Sequence, residues 1–122
     1  MNSSFRNLAE VEAERTRTGK LYREFLREPA MSAGVYVLPA GGTDPQKPHH
    51  EDELYYVIRG RARMRVGPKV PTGGDQAAAN PAVEEQAVTE GSVIFVAAGV
   101  GHQFYAIAEE LVVLVVFSPP ES

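Results

Sequence analysis

The chain has no cysteine, only three histidines, and no apolar run near the ~20 residues needed to cross a bilayer. Without cysteine there are no disulfides, thiolate metal ligands or thiol nucleophiles, so any metal or acid–base chemistry falls to imidazoles and carboxylates. Basic residues are in the minority: 12 Lys and Arg against 16 Asp and Glu leave a net charge of −4, which argues against a nucleic-acid surface. No helix-turn-helix pattern accompanies the chain. The opening residues M-N-S-S-F-R-N-L-A-E lack the basic-then-apolar order of a secretory signal, so a cytoplasmic protein without a membrane partner is expected. A length of 122 residues suffices for one hydrophobic core.

What is present is mostly β-forming. Leu8, Val11 and Phe5 suggest a short amphipathic helix broken near Gly19. Leu21, Tyr22, Phe25 and Leu26 read as an edge strand ended by Pro29, and Ala33–Leu38 as a clearer strand stopped by Pro39 and the Gly41-Gly42 pair. Glu53–Arg59 and Arg61–Val66 read as two strands with Gly60 turning the chain between them. In the second, Ala62, Met64 and Val66 alternate with Arg61, Arg63 and Arg65. The arginine row reads as a solvated face or, more sharply, as a surface for an anionic ligand or a partner. Residues 67–81 have almost nothing to bury and read as a long mobile loop. Further strands follow over Ala82–Thr89, Ser92–Val96, His102–Ile107 and Leu111–Phe117, where the structured part ends before Pro119-Pro120.

Short strands between Gly and Pro turns, with no long helical pattern after residue 30, predict an all-β sandwich or barrel. Residues 1–30 form an extension packing on the barrel or on a partner subunit, and residues 31–118 form the barrel. Leu54–Ile58 and the last strand are apolar on both faces and need cover on the second, so a homodimer is expected.

All three histidines fall in two places: His49 and His50 in G-G-T-D-P-Q-K-P-H-H-E-D-E-L-Y-Y-V-I-R-G, and His102 in the turn V-A-A-G-V-G-H-Q-F. His49 and Glu53, an even number of residues apart, share a face on a regular strand, and that face continues through Tyr55 and Val57. If His102 enters the same interior, two imidazoles and one carboxylate converge as a set suited to Fe(II), with Mn, Zn, Ni or Co also admissible. The plainer alternative is a solvated loop with a turn histidine. His50 reads as lying outside, and Glu51 and Asp52 as solvated loop acids. Tyr55, Met64, Phe95 and Phe104, with Lys47, are expected to line the interior cavity.

Two spacings carry a family resemblance. Gly41, five residues, Lys47-Pro48-His49, three residues, Glu53, six residues and Gly60 make one pattern. Gly91, five residues, Ala97-Ala98-Gly99, two residues and His102, with Ala106 three residues further on, make the second. Together they resemble the two motifs of small single-domain cupins, over residues 33–117. The resemblance implies a double-stranded β-helix of jelly-roll type. It implies a divalent metal (Fe, Mn, Zn or Ni) held by His49, Glu53 and His102.

The family's first metal-binding histidine falls on Lys47, and its second-motif Pro and Asn fall on Ala97 and Ala106. Water or a neighbouring oxygen then fills the vacant ligand position, with Gln46 and Gln103 nearest in sequence. Three placements of Lys47 are open: outward; inward and paired with Glu53 in place of a metal; or inward with a depressed pKa as an acid–base or Schiff-base group. The functions implied are a metal-dependent enzyme acting on a small organic molecule by oxygenation, isomerisation or decarboxylation, a non-catalytic ligand- or metal-binding module, or a structural barrel with a vestigial site.

Overall fold

The computed structural model describes residues 3–69 and 83–122. Helix α1 (Leu8–Thr18) starts at Asn7, whose side chain accepts from the Ala9 N–H, and stops at Gly19 in the left-handed conformation. Six strands follow among the described residues: β1 (Tyr22–Glu28), β2 (Met31–Leu38), β3 (Asp52–Lys69), β4 (Glu84–Val88), β5 (Val93–Val96) and β6 (Val100–Ser118). They pair in the order β1-β2-β6-β3-β4, with β5 also on β3, and every pairing is antiparallel. Part of the expected extension, β1, is therefore an edge strand of the sheet itself. Of the loop expected over residues 67–81, residues 67–69 continue β3, and residues 70–81 lie outside the described residues.

The two strands expected around Gly60 are one bent strand, and so are His102–Ile107 and Leu111–Phe117. Gly60 does not reverse the chain. At φ 104° it makes a bulge, and the side chains facing the core change from odd-numbered (Glu53, Tyr55, Val57) to even-numbered (Ala62, Met64) across it. A Cβ at Gly60 would lie 2.2 Å from the Glu110 carbonyl oxygen, so no other residue fits there without backbone movement. Opposite it, β6 carries extra residues between Tyr105 and Glu109, including Ala106 at φ 49°. These bends allow two long strands to wrap around one core of Tyr36, Leu38, Tyr55, Val57, Met64, Phe104, Ile107, Leu111 and their neighbours.

A second, smaller cluster lies on the outside of the sheet. Val11 of α1 is fully buried against Val35, Val37 and Val112, flanked by Leu8, Phe25 and Ile58, so the helix covers the outer face of β2 and β6. Phe5 stays exposed. The arginine row is spent on ion pairs and a hydrogen bond: Arg61 with Glu109, Arg65 with Glu85, and Arg63 to the Tyr105 hydroxyl, while Arg59 before the bulge pairs with Glu12. It forms a solvated face and not an open anion site. No helix among the described residues is long and apolar enough to cross a membrane.

The bulges set a stability test. Ala106→Gly relieves a left-handed non-glycine residue and is expected to stabilise by about 0.5–1 kcal/mol in urea unfolding. Gly60→Ala should destabilise by about 2 kcal/mol or more, and unchanged midpoints for both variants would contradict this account of the bends.

Candidate metal centre

The loop between β2 and β3 carries half of the site. Pro45 and Pro48 lack an N–H and keep this stretch out of any ladder, so it runs outside regular pairing. Asp44, Gln46 and His49 turn inward, while Pro45, Lys47, Pro48 and His50 stay exposed. Two bonds pin the loop to the turn before β6: the Gly99 N–H donates to the His49 carbonyl at 2.8 Å, and the Ala98 N–H to the Asp52 carboxylate at 2.9 Å. His49 thus faces the same interior as Glu53 although it precedes the strand. The cause is this anchoring and not strand alternation.

His49, Glu53 and His102 meet, with one ligating atom from each within 4.8 Å of the others. Glu53 Oε1 lies 3.1 Å from His102 Nε2 and 3.6 Å from His49 Nε2. His102 Nδ1 lies 3.1 Å from the Val100 carbonyl, which can only accept, so this nitrogen carries the hydrogen. His49 Nδ1 lies 3.3 Å from the Glu121 carboxylate and its Nε2 lies 3.4 Å from the Gln46 side-chain oxygen, so its ring hydrogen has an acceptor at either nitrogen. The His102 Nε2 lone pair points at a carboxylate oxygen, and His49 Nε2 does the same when its hydrogen is on Nδ1. Such a cluster of acceptors is unfavourable unless a proton or a cation lies among them. Glu53 Oε2 and His102 Nε2 are buried without a hydrogen-bond partner among the described residues, and a divalent cation suits that donor set. Phe117 packs edge-on to the His49 ring at 5.0 Å, and Tyr55 lies 5.9 Å from the ring of His102.

Other expected site residues separate. Lys47 is exposed and makes no ion pair with Glu53, so it does not neutralise that carboxylate. Pro48 breaks the alternation, which brings Gln46 and His49 to the inside in its place. Phe95 is 61% exposed on the outer face of β5, because the adjacent Val96, paired with Glu53, takes the inward position. Tyr55, Met64 and Phe104 are buried in the core. Gln103 donates to the Asp44 carbonyl and braces the loop. His50 and Asp52 are exposed, but Glu51 is buried and accepts from the Ser122 hydroxyl at 3.0 Å, contrary to its reading as a solvated acid.

Three contributors were not legible. Asp44 looks like an ordinary loop acid before a proline, and it is buried as a hydrogen-bond hub. Glu121 lies beyond the prolines at which the structured part was expected to end. The chain returns there through Glu121 N–H to Ser32 Oγ and Arg27 to the Glu121 carbonyl, which brings the carboxylate to His49. Burial raises the pKa of Glu121; His49 opposes this, and Glu53, Glu51 and Glu24 add to it. Tyr22 enters the interior because Gly34 has no side chain: a Cβ there would lie 2.3 Å from Tyr22 Cζ. The Tyr22 hydroxyl is buried without a partner, and burial together with nearby carboxylates keeps it protonated.

Two spaces flank the centre. One of 130 Å³ is lined by Tyr22, Tyr36, Gln46, His49, Phe117 and Glu121 among others. The other, of 260 Å³, lies between Gln46, Arg65, His102 and Gln103.

Comparison with known proteins adds a family. The family model described as Cupin matches residues 10–122. An uncharacterized protein of Streptomyces coelicolor is 50% identical over 115 residues, covering 94% of this chain and 95% of its own. A 1.41 Å crystal structure of a Bacillus halodurans protein superposes with a TM-score of 0.71 at 19% identity, over 98% of this chain and 84% of that one. An oxalate decarboxylase from Lactobacillus farciminis, solved as a formate complex, superposes with a TM-score of 0.63 at 18% identity, over 83% of this chain but 30% of that one. At these identities the two structures show a shared fold.

The convergence predicts a titration. In metal-free protein, burial lowers the pKa of His102, but the hydrogen bond and charge of Glu53 outweigh it and hold the pKa above 6.5. The folded value exceeds the unfolded one, so the pair's stabilisation is fully present below pH ~6.5 and is lost as pH rises through the folded value. Glu53→Gln should lower the pH at which His102 titrates, followed by NMR. An unmoved titration would show that the two groups do not interact.

Proposed function

The chain belongs to the cupin family, and from that premise we propose that it holds one divalent transition metal, Fe, Mn, Zn or Ni, between His49, Glu53 and His102. There it acts on a small organic molecule. The observation that carries this reading is the buried Glu53 carboxylate facing the Nε2 atoms of two histidines, with Glu53 Oε2 and His102 Nε2 lacking a hydrogen-bond partner among the described residues. When bound, such a metal supplies a Lewis acid or a dioxygen-binding centre, which opens oxygenation, isomerisation and decarboxylation.

The chain's own groups define what reaches that centre. The cavity of 130 Å³ beside His49 suits a molecule of a few heavy atoms. Phe117 and Val115 give it apolar walls, and the Tyr22 hydroxyl, lacking a protein partner, is free to donate a hydrogen bond to the occupant. Glu121 orients the His49 ring through Nδ1 and, with its raised pKa, is suited to exchange a proton with a bound molecule. Lys47, exposed at the surface, is not placed to neutralise Glu53, which disfavours a vestigial structural barrel.

Protein purified without a nickel column should contain about one transition metal per chain, and His49→Ala and His102→Ala should each lose it. Chelation should lower the melting temperature of the wild type and leave that of the variants unchanged. Metal-free wild-type protein indifferent to both chelator and added metal would end this reading.

The homodimer is proposed on a different face. Leu54 (43% exposed) lies between Phe95 (61%) and Val116, and Tyr56 (42%) between Val93 (67%) and Leu114, giving two adjoining apolar rows on the outside of β5, β3 and β6. Helix α1 covers the outer face of β2, and nothing among the described residues covers these rows. A second copy, related by a two-fold axis, would cover its own patch while being covered. Light scattering should give twice the chain mass for the wild type and the chain mass for Phe95→Asp. A monomeric wild type would reject the dimer.

A further inference from the structure

We infer that Gln46 supplies a fourth protein donor to the metal centre, its side-chain carbonyl oxygen taking the position that Lys47 leaves vacant; this rests on the metal reading above. The amide is fixed at both ends. Its Nε2 donates to Asp44 Oδ2 at 2.9 Å, and because a carboxylate only accepts, the NH₂ group must be the end at Asp44. The carbonyl Oε1 is then directed away from Asp44, where it accepts from the Tyr55 hydroxyl at 2.8 Å and lies 3.4 Å from His49 Nε2. A carbonyl oxygen has two lone pairs, so the bond from Tyr55 leaves one unused.

That lone pair is directed at His49 Nε2, 3.4 Å away. A metal on His49 Nε2 requires the ring hydrogen on Nδ1, where the Glu121 carboxylate stands 3.3 Å away to accept it, and Gln46 Oε1 then faces the same point as the Nε2 lone pair. The same pattern relates Glu53 to both histidines, at 3.1 and 3.6 Å. Around one cation with bonds of ~2.1 Å, neighbouring donor atoms stand roughly 3.0–3.4 Å apart, and these separations fall in or close to that range. Gln46 also borders both cavities, one beside His49 and the other beside His102.

Asp44 makes the placement rigid. It is 2% exposed and accepts from the Tyr36 hydroxyl, the Gln46 backbone N–H, the Gln46 amide and the Phe104 N–H. Phe104 is two residues beyond His102 on β6, so one carboxylate ties the loop bearing Gln46 to the strand bearing His102. Had Gln46 been a solvated loop residue, its amide would not be held at both ends by buried groups. The resulting donor set has two nitrogens and two oxygens with a single negative charge.

The test uses Cu(II) as probe, bound to the wild type and to Gln46→His, Gln46→Ala, Lys47→Ala and His102→Ala, with circular dichroism to establish that each is folded. Nitrogen hyperfine structure in the electron paramagnetic resonance spectrum should report two imidazoles in the wild type and three in Gln46→His. Gln46→Ala should weaken Cu(II) binding by about tenfold or more and change the copper hyperfine coupling, whereas Lys47→Ala, at an exposed position, should do neither. Two nitrogens in Gln46→His together with an unchanged Gln46→Ala spectrum would overturn the inference while leaving the three-residue centre intact. Wild-type protein that binds no Cu(II), or binds it as His102→Ala does, would overturn both.

Discussion

A carboxylate buried against two imidazole nitrogens is the constraint on which the interior of this barrel depends. Glu53 is 1% exposed, one of its oxygens has no hydrogen-bond partner, and the other faces His102 and His49. Burying such a group uncompensated costs several kcal/mol, so a positive charge in the cluster is required, whether a proton on His102 or a metal ion. The surroundings are arranged to leave that requirement to the centre itself. The Val100 carbonyl and Glu121 occupy the outer ring nitrogens, Phe117 and Tyr55 pack on the rings, and the lysine nearest in sequence is turned to solvent.

Asp44, a buried acid of the loop before β3, solves the same problem differently. It collects four donors from backbone and side chains and needs no cation. The contrast separates roles that look alike in a list of buried acids. Asp44 is a satisfied structural hub that sets the direction of Gln46, and Glu53 is an unsatisfied group that calls for a ligand. Both lie within reach of Tyr55, whose hydroxyl is pushed far up in pKa by burial first, with the Glu53 carboxylate adding to it, and therefore serves as a donor to Gln46.

The outside of the sheet divides by chemistry. The arginine row is matched by acids and Tyr105 along β3, the face under α1 is closed by Val11, and the rows through Leu54 and Tyr56 stay apolar and uncovered. Alternation along β3 forces this division. Each residue directed into the core commits its neighbour to the surface, and the Gly60 bulge reverses which neighbour that is.

The β class, most strand positions and the residues His49, Glu53 and His102 were legible in the chain, because period-two alternation, Gly and Pro punctuation and motif spacing are local signals. The helix ending at Gly19 was legible for the same reason. The continuity of β3 through Gly60 was not, since a glycine between two β runs reads equally as a turn or a bulge until its partner strand is known. Nor could the sequence decide between Lys47 and Gln46, because Pro48 takes this loop out of regular alternation and its facing is set by bonds to Ala98 and Gly99, some 50 positions away. Asp44 and Glu121 became site residues only through contacts with distant strands and rings. Sequence by itself determined which chemical groups were available and on which strands; the tertiary structure decided which of them face one another, because convergence depends on long-range pairing that local pattern does not encode.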